Sequence, residues 1–302
     1  MRQRSQPAQA AGRATDPVTR QRALAAALPF LRCPVCQAGL RRAGACLACR
    51  HGHSFDVARQ GYVNLRAGPP AAGTADTPAM VTARERFLGS GHFAPVADAL
   101  AAAAARVDQV PSPGAVLDLA GGTGYYLAAV LDSVSHRIGI CLDVSKAQLR
   151  RAARAHPRAA AVGADVWQPL PLADGCAAVS LSVFGPRNPA ELARTLAPHG
   201  VLLLVTPTAR HLQELIAPVG LLSVDAAKQR RLSSQLAGFQ PVTEQTLSYR
   251  LSLPHSQLTD LVMMGPSAHH LPDADVGRRV AGLPEPVAVT VSVRLAAYRP
   301  AR

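Results

Sequence analysis

Beyond residue 114, short apolar runs that end in acidic or glycine positions alternate with amphipathic stretches. That is the pattern of a mostly parallel sheet with helices on both faces. The first run lies in AVLDLAGGTG at 115–124 and passes through a glycine turn into the helix-like YYLAAVLDS. Further strands are predicted over Ile138–Leu142, near Ala160–Ala164, over Ala177–Phe184 and over Val201–Thr206. A helix is predicted over Pro189–Leu196, stopped by Pro198-His199-Gly200. Glu244–Leu253 and Val287–Tyr298 alternate as antiparallel closing strands, with a helix over Ser256–Met264 between them. The sum is an α/β chain with a Rossmann-like, seven-stranded sheet.

The first third of the chain lacks this regularity. Residues 1–28 are rich in Arg, Gln, Ala, Thr and Pro, hold the single acid Asp16, and are expected to be a flexible basic tail. Leu24–Leu31 loosely resembles a signal peptide, but Arg32 and Cys33 follow without a small-residue cleavage site, so export is rejected. Residues 29–66 carry a cysteine cluster. Within them His53–Leu65 reads as a short strand or turn that closes a small module and presents Arg59. Residues 67–110 divide into a Gly-, Pro- and Ala-rich linker and a helical region over Met80–Arg106, broken near Gly89–Gly91. Residues 111–302 form the sheet domain.

Four of the six cysteines fall in CPVCQAGLRRAGACLACRHGH at 33–53, a clustering that suggests a metal rather than disulfides. Cys33 and Cys36 supply two zinc ligands from one knuckle. The other pair is open on spacing alone: Cys46 with Cys49, or Cys49 with His53, with His51 a weaker candidate. A filled thiolate shell leaves no position for water, so such a zinc is structural.

The glycine turn at 120–124 has alternatives that the residues separate. A dinucleotide fingerprint would need Gly or Ala at Leu127, and no Walker Lys-Ser/Thr is present. Asp118, inside the strand end just before the glycines, is the arrangement of methyltransferases that use S-adenosylmethionine, whose methionine end carries an ammonium that an acid-lined turn can receive. Asp143 ends the next strand and suits the ribose hydroxyls, while Asp165, followed by Val166 and Trp167, suits the adenine. Gly122, Thr123 and Gly124 complete the turn. The loop Phe184-Gly-Pro-Arg-Asn188 is positioned to present a target base, with Phe184 stacking on it and Asn188 reading its edge or merely capping the next helix.

Composition narrows the partners. The 302 residues are 48% apolar, too many for a disordered chain, and no apolar run approaches the ~20 residues needed to cross a bilayer. Thirty-two Lys and Arg against 19 Asp and Glu give a net charge of +13, and Lys146 and Lys228 are the only lysines. Arginine forks pair with phosphate and stack on bases, so RNA is the expected partner, with neither DNA nor a membrane. Arg41, Arg42, Arg50 and Arg59 are candidates to hold it.

On the stretches CPVC, HSFDVARQGYVNL, ARERFLGSGHFAP, VLDLAGGTGYY, LDVSKAQLRRAARAHPRA, VFGPRNPAEL and TPTARHLQEL, the chain resembles the 23S ribosomal RNA guanine-N1 methyltransferases. The likeness is strongest to their actinobacterial macrolide-resistance branch, the tylosin and mycinamicin resistance type. It implies a class I methyltransferase fold, a cytoplasmic enzyme, S-adenosylmethionine as cofactor, and a zinc set of Cys33, Cys36, Cys49 and His53 that leaves Cys46 spare. It also implies cofactor positions at Phe93, Gly122, Thr123 and His211, and a guanine in a 23S rRNA hairpin near the peptide exit tunnel, whose methylation weakens binding of tylosin-like macrolides. Two residues depart from the pattern: Phe93 replaces an aromatic hydroxyl, and Ala120 replaces the first glycine. The residues identify no proton acceptor, and a homodimer is left open. The alternative function is methylation of a small molecule, with the zinc purely structural.

Overall fold

The computed structural model describes residues 15–66, 68, 76–108, 114–223 and 236–301. Its first element corrects the expected tail: Pro17–Ala27 is a helix (α1), while residues 1–14 lie outside the described residues. Asp16 starts α1 by accepting from the N–H groups of Val18 (2.8 Å) and Thr19 (3.0 Å), and Pro17 needs no such acceptor. Ala23, Leu24 and Ala27 are buried on one side, and Thr15 Oγ1 donates to the Ala153 carbonyl at 3.2 Å. Burying Leu24 contributes about 2 kcal/mol, enough to fix a helix whose other buried side chains are small.

A three-stranded antiparallel sheet follows, made of β1 (Leu40–Ala43), β2 (Cys46–Cys49) and β3 (Ser54–Asp56). Ala43 pairs with Cys46 across a two-residue turn at Gly44-Ala45, where Gly44 takes φ +60°. The segments flanking this small sheet are tied to the rest of the chain at two points. Leu31 bridges Leu172, flanked by hydrogen bonds from Arg32 N to the Pro171 carbonyl (2.9 Å) and from Ala173 N to the Phe30 carbonyl (2.8 Å). Beyond β3, the two-residue strand β4 (Val63–Asn64) runs parallel to a strand of the main sheet.

Two helices, α2 (Pro78–Gly89) and α3 (Ala94–Val107), lead to the main sheet. Its strands and helices are β5 (Ala115–Leu119), α4 (Tyr125–Ser133), β6 (Gly139–Asp143), α5 (Lys146–Ala155), β7 (Ala159–Gly163), β8 (Ala177–Val183), α6 (Pro189–Thr195) and β9 (Leu196–Pro207). The short α7 (Ile216–Val219), β10 (Phe239–Leu253), α8 (His255–Met263), α9 (Asp273–Ala281) and β11 (Val287–Pro300) complete it. The spatial order is β10-β11-β9-β8-β5-β6-β7-β4. Seven strands are those expected, with β10 and β11 antiparallel, and β4 adds an eighth at the end. Strand β10 starts at Phe239 rather than Glu244, and α9 appears where the hydrophobic pattern predicts no helix.

Both faces of the sheet are covered. Val116 joins one apolar cluster with Leu100, Leu127 and Val291, while Leu117 and Leu119 point to a second with Leu24, Leu47 and Ile140. The near-continuous apolar strands follow from this two-sided burial.

Candidate active site and metal centre

The metal centre is built on the first knuckle. Cys33 N donates to the Ala38 carbonyl and Gln37 N to the Cys33 carbonyl, both at 2.8 Å, with Gln37 in the left-handed region at φ +57°. That turn aims Cys33 and Cys36 at Cys49, on the end of β2, and at His53, just before β3. The four donor atoms all lie within 4.8 Å of one another. Cys36 Sγ is 3.7 Å from Cys49 Sγ, and His53 Nδ1 is 3.6 Å from Cys33 Sγ and 3.4 Å from Cys49 Sγ. A sulfur–sulfur separation of 3.7 Å excludes a disulfide and matches the edge of a zinc tetrahedron, about 3.8 Å for zinc–sulfur bonds near 2.3 Å. Burial pushes the Cys49 thiol up, but backbone N–H groups at His51 and His53 stabilise its anion more, bringing it down to about 6. Three thiols and an imidazole fit zinc and leave no open position for water. Cys46 stands outside the cluster, with its thiol donating to the Ala43 carbonyl at 3.0 Å. Of the two pairs left open by the spacing, it is Cys49 with His53 that the fold brings beside Cys33 and Cys36.

At the carboxyl ends of β5, β6 and β7 the three acids occupy adjoining strand tips, but they are not equivalent. Asp118 is 1% exposed and its Oδ2 has no hydrogen-bond partner among the described residues. Burial, then the charge of Asp143, pushes its carboxyl up to about 8. Asp143 Oδ2 accepts from Gly122 N (3.0 Å) and Oδ1 from Ser145 N (2.8 Å). Burial pushes Asp143 up to about 6, with those two N–H groups opposing it. Asp165 is half-buried and its Oδ1 accepts from Trp167 N at 3.0 Å, so it also forms the turn that exposes Trp167. A cationic group fits beside Asp118, because an orphaned carboxylate oxygen in a dry, doubly acidic spot is stabilised by a positive charge.

The turn between β5 and α4 is shaped by left-handed backbone and by close internal packing. Gly122 and Gly124 adopt φ +59° and +78°, and Ala120, in place of a glycine, still takes φ +53°. A β-carbon at Gly121 would stand 2.5 Å from the Asp118 carboxylate and 2.7 Å from Cys141 Sγ. Thr123 is buried and Gly124 caps α4.

Aromatic rings line the neighbouring wall. His211 stacks on Phe184 at 5.8 Å between centroids, and Phe93 lies 6.3 Å from Phe184 and 6.4 Å from His211. Tyr126, which sequence reasoning misses, closes the group 6.5 Å from Phe184. Its place on the buried face of α4 makes it look like core. Phe184 is 40% exposed and takes φ +56°, an unfavourable conformation for an aromatic residue that commonly marks a functional position. Ser292 N donates to His211 Nδ1 at 3.2 Å, which leaves the proton on Nε2, and burial pushes the imidazole down to about 4. His211 is therefore a neutral lining group at neutral pH. Asn188 caps α6 through Oδ1 (Ala190 N 3.2 Å, Glu191 N 3.4 Å), so that oxygen is committed to the helix.

A second set of unforeseen residues covers the turn from α2 and α5. Arg84, Asp76 and Gln148 are joined there, with Arg84 Nη2 2.8 Å and Gln148 Nε2 2.7 Å from Asp76 Oδ2. Arg84 lies in ARERFLGSGHFAP and reads in sequence as an ordinary solvated helix residue.

The sheet order, the glycine turn and the acids at its strand tips define a Rossmann-like, class I methyltransferase fold with an attached zinc site. A family model for a zinc ribbon, described as RlmA, N-terminal, matches residues 31–66. The chain is 51% identical to a putative 23S rRNA (guanine-N(1)-)-methyltransferase of Micromonospora griseorubida over 290 residues, covering 90% of this chain and 98% of that protein. It is 49% identical over 272 residues to the 23S rRNA (guanine(748)-N(1))-methyltransferase of Streptomyces fradiae, covering 90% and 97%. A putative 23S rRNA (guanine-N(1)-)-methyltransferase of Bacillus subtilis, YxjB, is 33% identical over 192 residues, covering 62% and 67%. The chain belongs to the 23S rRNA (guanine-N(1)-)-methyltransferase family.

Proposed function

We propose that this chain methylates N1 of a guanine in a 23S rRNA hairpin near the peptide exit tunnel, with S-adenosylmethionine as donor, in the cytoplasm. The modification would protect the ribosome against macrolides of the tylosin and mycinamicin type. The observation that carries this reading is the exposed Phe184, held at φ +56° beside the acid-lined glycine turn in a chain half identical to guanine-N1 methyltransferases. S-adenosylmethionine, when bound, supplies an electrophilic methyl group.

The chain's own residues bind and orient. Asp118 receives the methionine ammonium, Asp143 the ribose hydroxyls and Asp165 the adenine amino group. Gly122, Thr123 and Gly124 form the floor, and Phe93 and His211 the wall. Phe184 offers a stacking face to an unpaired guanine; base–aromatic stacking contributes about 1–3 kcal/mol. A paired guanine hides N1 in its Watson–Crick bond, so a hairpin loop or flipped base is the fitting substrate. The guanine N1 proton must leave during transfer, and His211, low in basicity with its proton on Nε2, is excluded as the acceptor. Arg41, Arg50 and Arg59 are exposed on the zinc module without acidic partners among the described residues, available to RNA phosphates.

Primer extension on 23S rRNA from cells with and without the gene tests the proposal. A new stop at one guanine is expected, since N1-methylguanine cannot pair. An unchanged pattern would overturn it in favour of a small-molecule substrate.

A further inference from the structure

Arg84 stands on α2 with its guanidinium over the glycine turn. Its Nη1 is 3.2 Å from the point where a β-carbon on Gly122 would sit. Its Nη2 is committed, donating to the Met264 carbonyl at 2.7 Å and pairing with Asp76 at 2.8 Å. Among the described residues, Nε is buried without a partner and nothing pairs with Nη1. Gln148, only 1% exposed, donates from Nε2 to the same Asp76 carboxylate. Its Oε1 is buried, has no partner among the described residues and lies 3.6 Å from the same point above Gly122. Asp76 and a backbone carbonyl thus hold two side chains so that a free cationic donor and a free neutral acceptor meet over one glycine. A purely structural ion pair would need only the Asp76 side of the guanidinium. The unused side is directed at the turn.

We propose that Arg84 receives the α-carboxylate of the methionine end of S-adenosylmethionine, with Gln148 Oε1 beside it accepting from the α-ammonium that Asp118 also attracts. This rests on the cofactor assignment above. A planar, pre-oriented guanidinium suits a carboxylate, and a charge-assisted contact of this kind is about twice as strong as a neutral one. Asp76 and the Met264 carbonyl are positioning groups that act through Arg84. The arrangement makes α2, which lies outside the sheet, part of the cofactor site.

The test is calorimetric and uses the full zinc-loaded chain with two probes. One is S-adenosylhomocysteine; the other is its decarboxylated analogue, 5′-deoxy-5′-(3-aminopropylthio)adenosine. The wild-type chain is expected to bind the first about ten- to a hundred-fold more tightly. Arg84→Gln should reduce that preference to about two-fold or less, and Arg84→Lys should keep part of it. If Arg84→Gln fails to fold, the wild-type comparison and the lysine variant still decide. Failure of the wild-type chain to bind S-adenosylhomocysteine would remove the cofactor assignment, and this inference with it. Binding without preference over the analogue, or a preference untouched in Arg84→Gln, would overturn the role of Arg84 alone. So would a variant that keeps the preference but loses affinity for a guanine-bearing RNA hairpin, since the guanidinium would then serve a phosphate.

Discussion

Asp118 keeps its proton in the folded chain over a range in which the unfolded chain has lost it. Its ordinary value is 3.8, and burial with Asp143 raises it to about 8. For an acid shifted upward, the native state binds the extra proton between these values, so stability falls as pH rises from about 4 to 8. Asp118→Asn removes that loss. Thermal melts at pH 5 and pH 8 should show a larger drop for the wild-type chain than for the variant, and equal drops would count against an orphaned buried carboxyl. The same variant should bind S-adenosylhomocysteine more weakly, because an incoming ammonium favours the ionised form of the Asp118 carboxyl, whereas the amide can gain no charge. Stability and binding thus oppose each other at one side chain, as they commonly do where a site holds an unsatisfied group for its ligand.

At the scale of elements, the zinc ligands come from three separate pieces, the 33–37 knuckle, the end of β2 and the residue before β3, so metal and small sheet form together. Cys49→Ser should abolish stoichiometric zinc and lower the melting temperature, whereas Cys46→Ser should leave one zinc per chain and an unchanged melt. Zinc assay by atomic absorption checks both, and loss of metal in Cys46→Ser would contradict the ligand set. Strands β5 to β9 were legible in sequence because each is a dense apolar run closed by an acid, a glycine or a proline. Helix α1 was not, since it buries alanines and one leucine and so shows little contrast between its faces. A short strand or turn was legible within His53–Leu65, but not the parallel pairing of β4 with Val162 and Gly163, about a hundred residues away, which leaves no local signal. The placement of Asp118, Asp143 and Asp165 at adjoining strand tips was readable from the apolar runs they close. Arg84, Gln148 and Tyr126 were not, because their roles depend on which turn of a distant segment they reach.

For the molecule as a whole, an excess of 13 positive charges, nearly all arginine, sets how it meets a polyanion. If the zinc module holds RNA through phosphates, affinity for a hairpin must fall steeply with salt. Replacing Arg41, Arg50 and Arg59 together by Ala should flatten the log–log salt slope by about one unit for each phosphate left without its arginine. Affinity for S-adenosylhomocysteine should stay as it was. A filter-binding series at several salt concentrations reads the slope, and an unaltered slope would place the RNA surface elsewhere.

The parallel pairing of Val63 and Asn64 with β7, extended by Leu65 N donating to the Gly163 carbonyl at 2.9 Å, does more than attach the zinc module. It shields the outermost rim of the large sheet, where β7 would otherwise leave amide and carbonyl groups open to recruitment by another chain. Stripping the metal would loosen the segment that performs this shielding. The damage would then appear as molecules sticking to one another in proportion to their concentration, even where the methyl-transfer cleft itself stays intact.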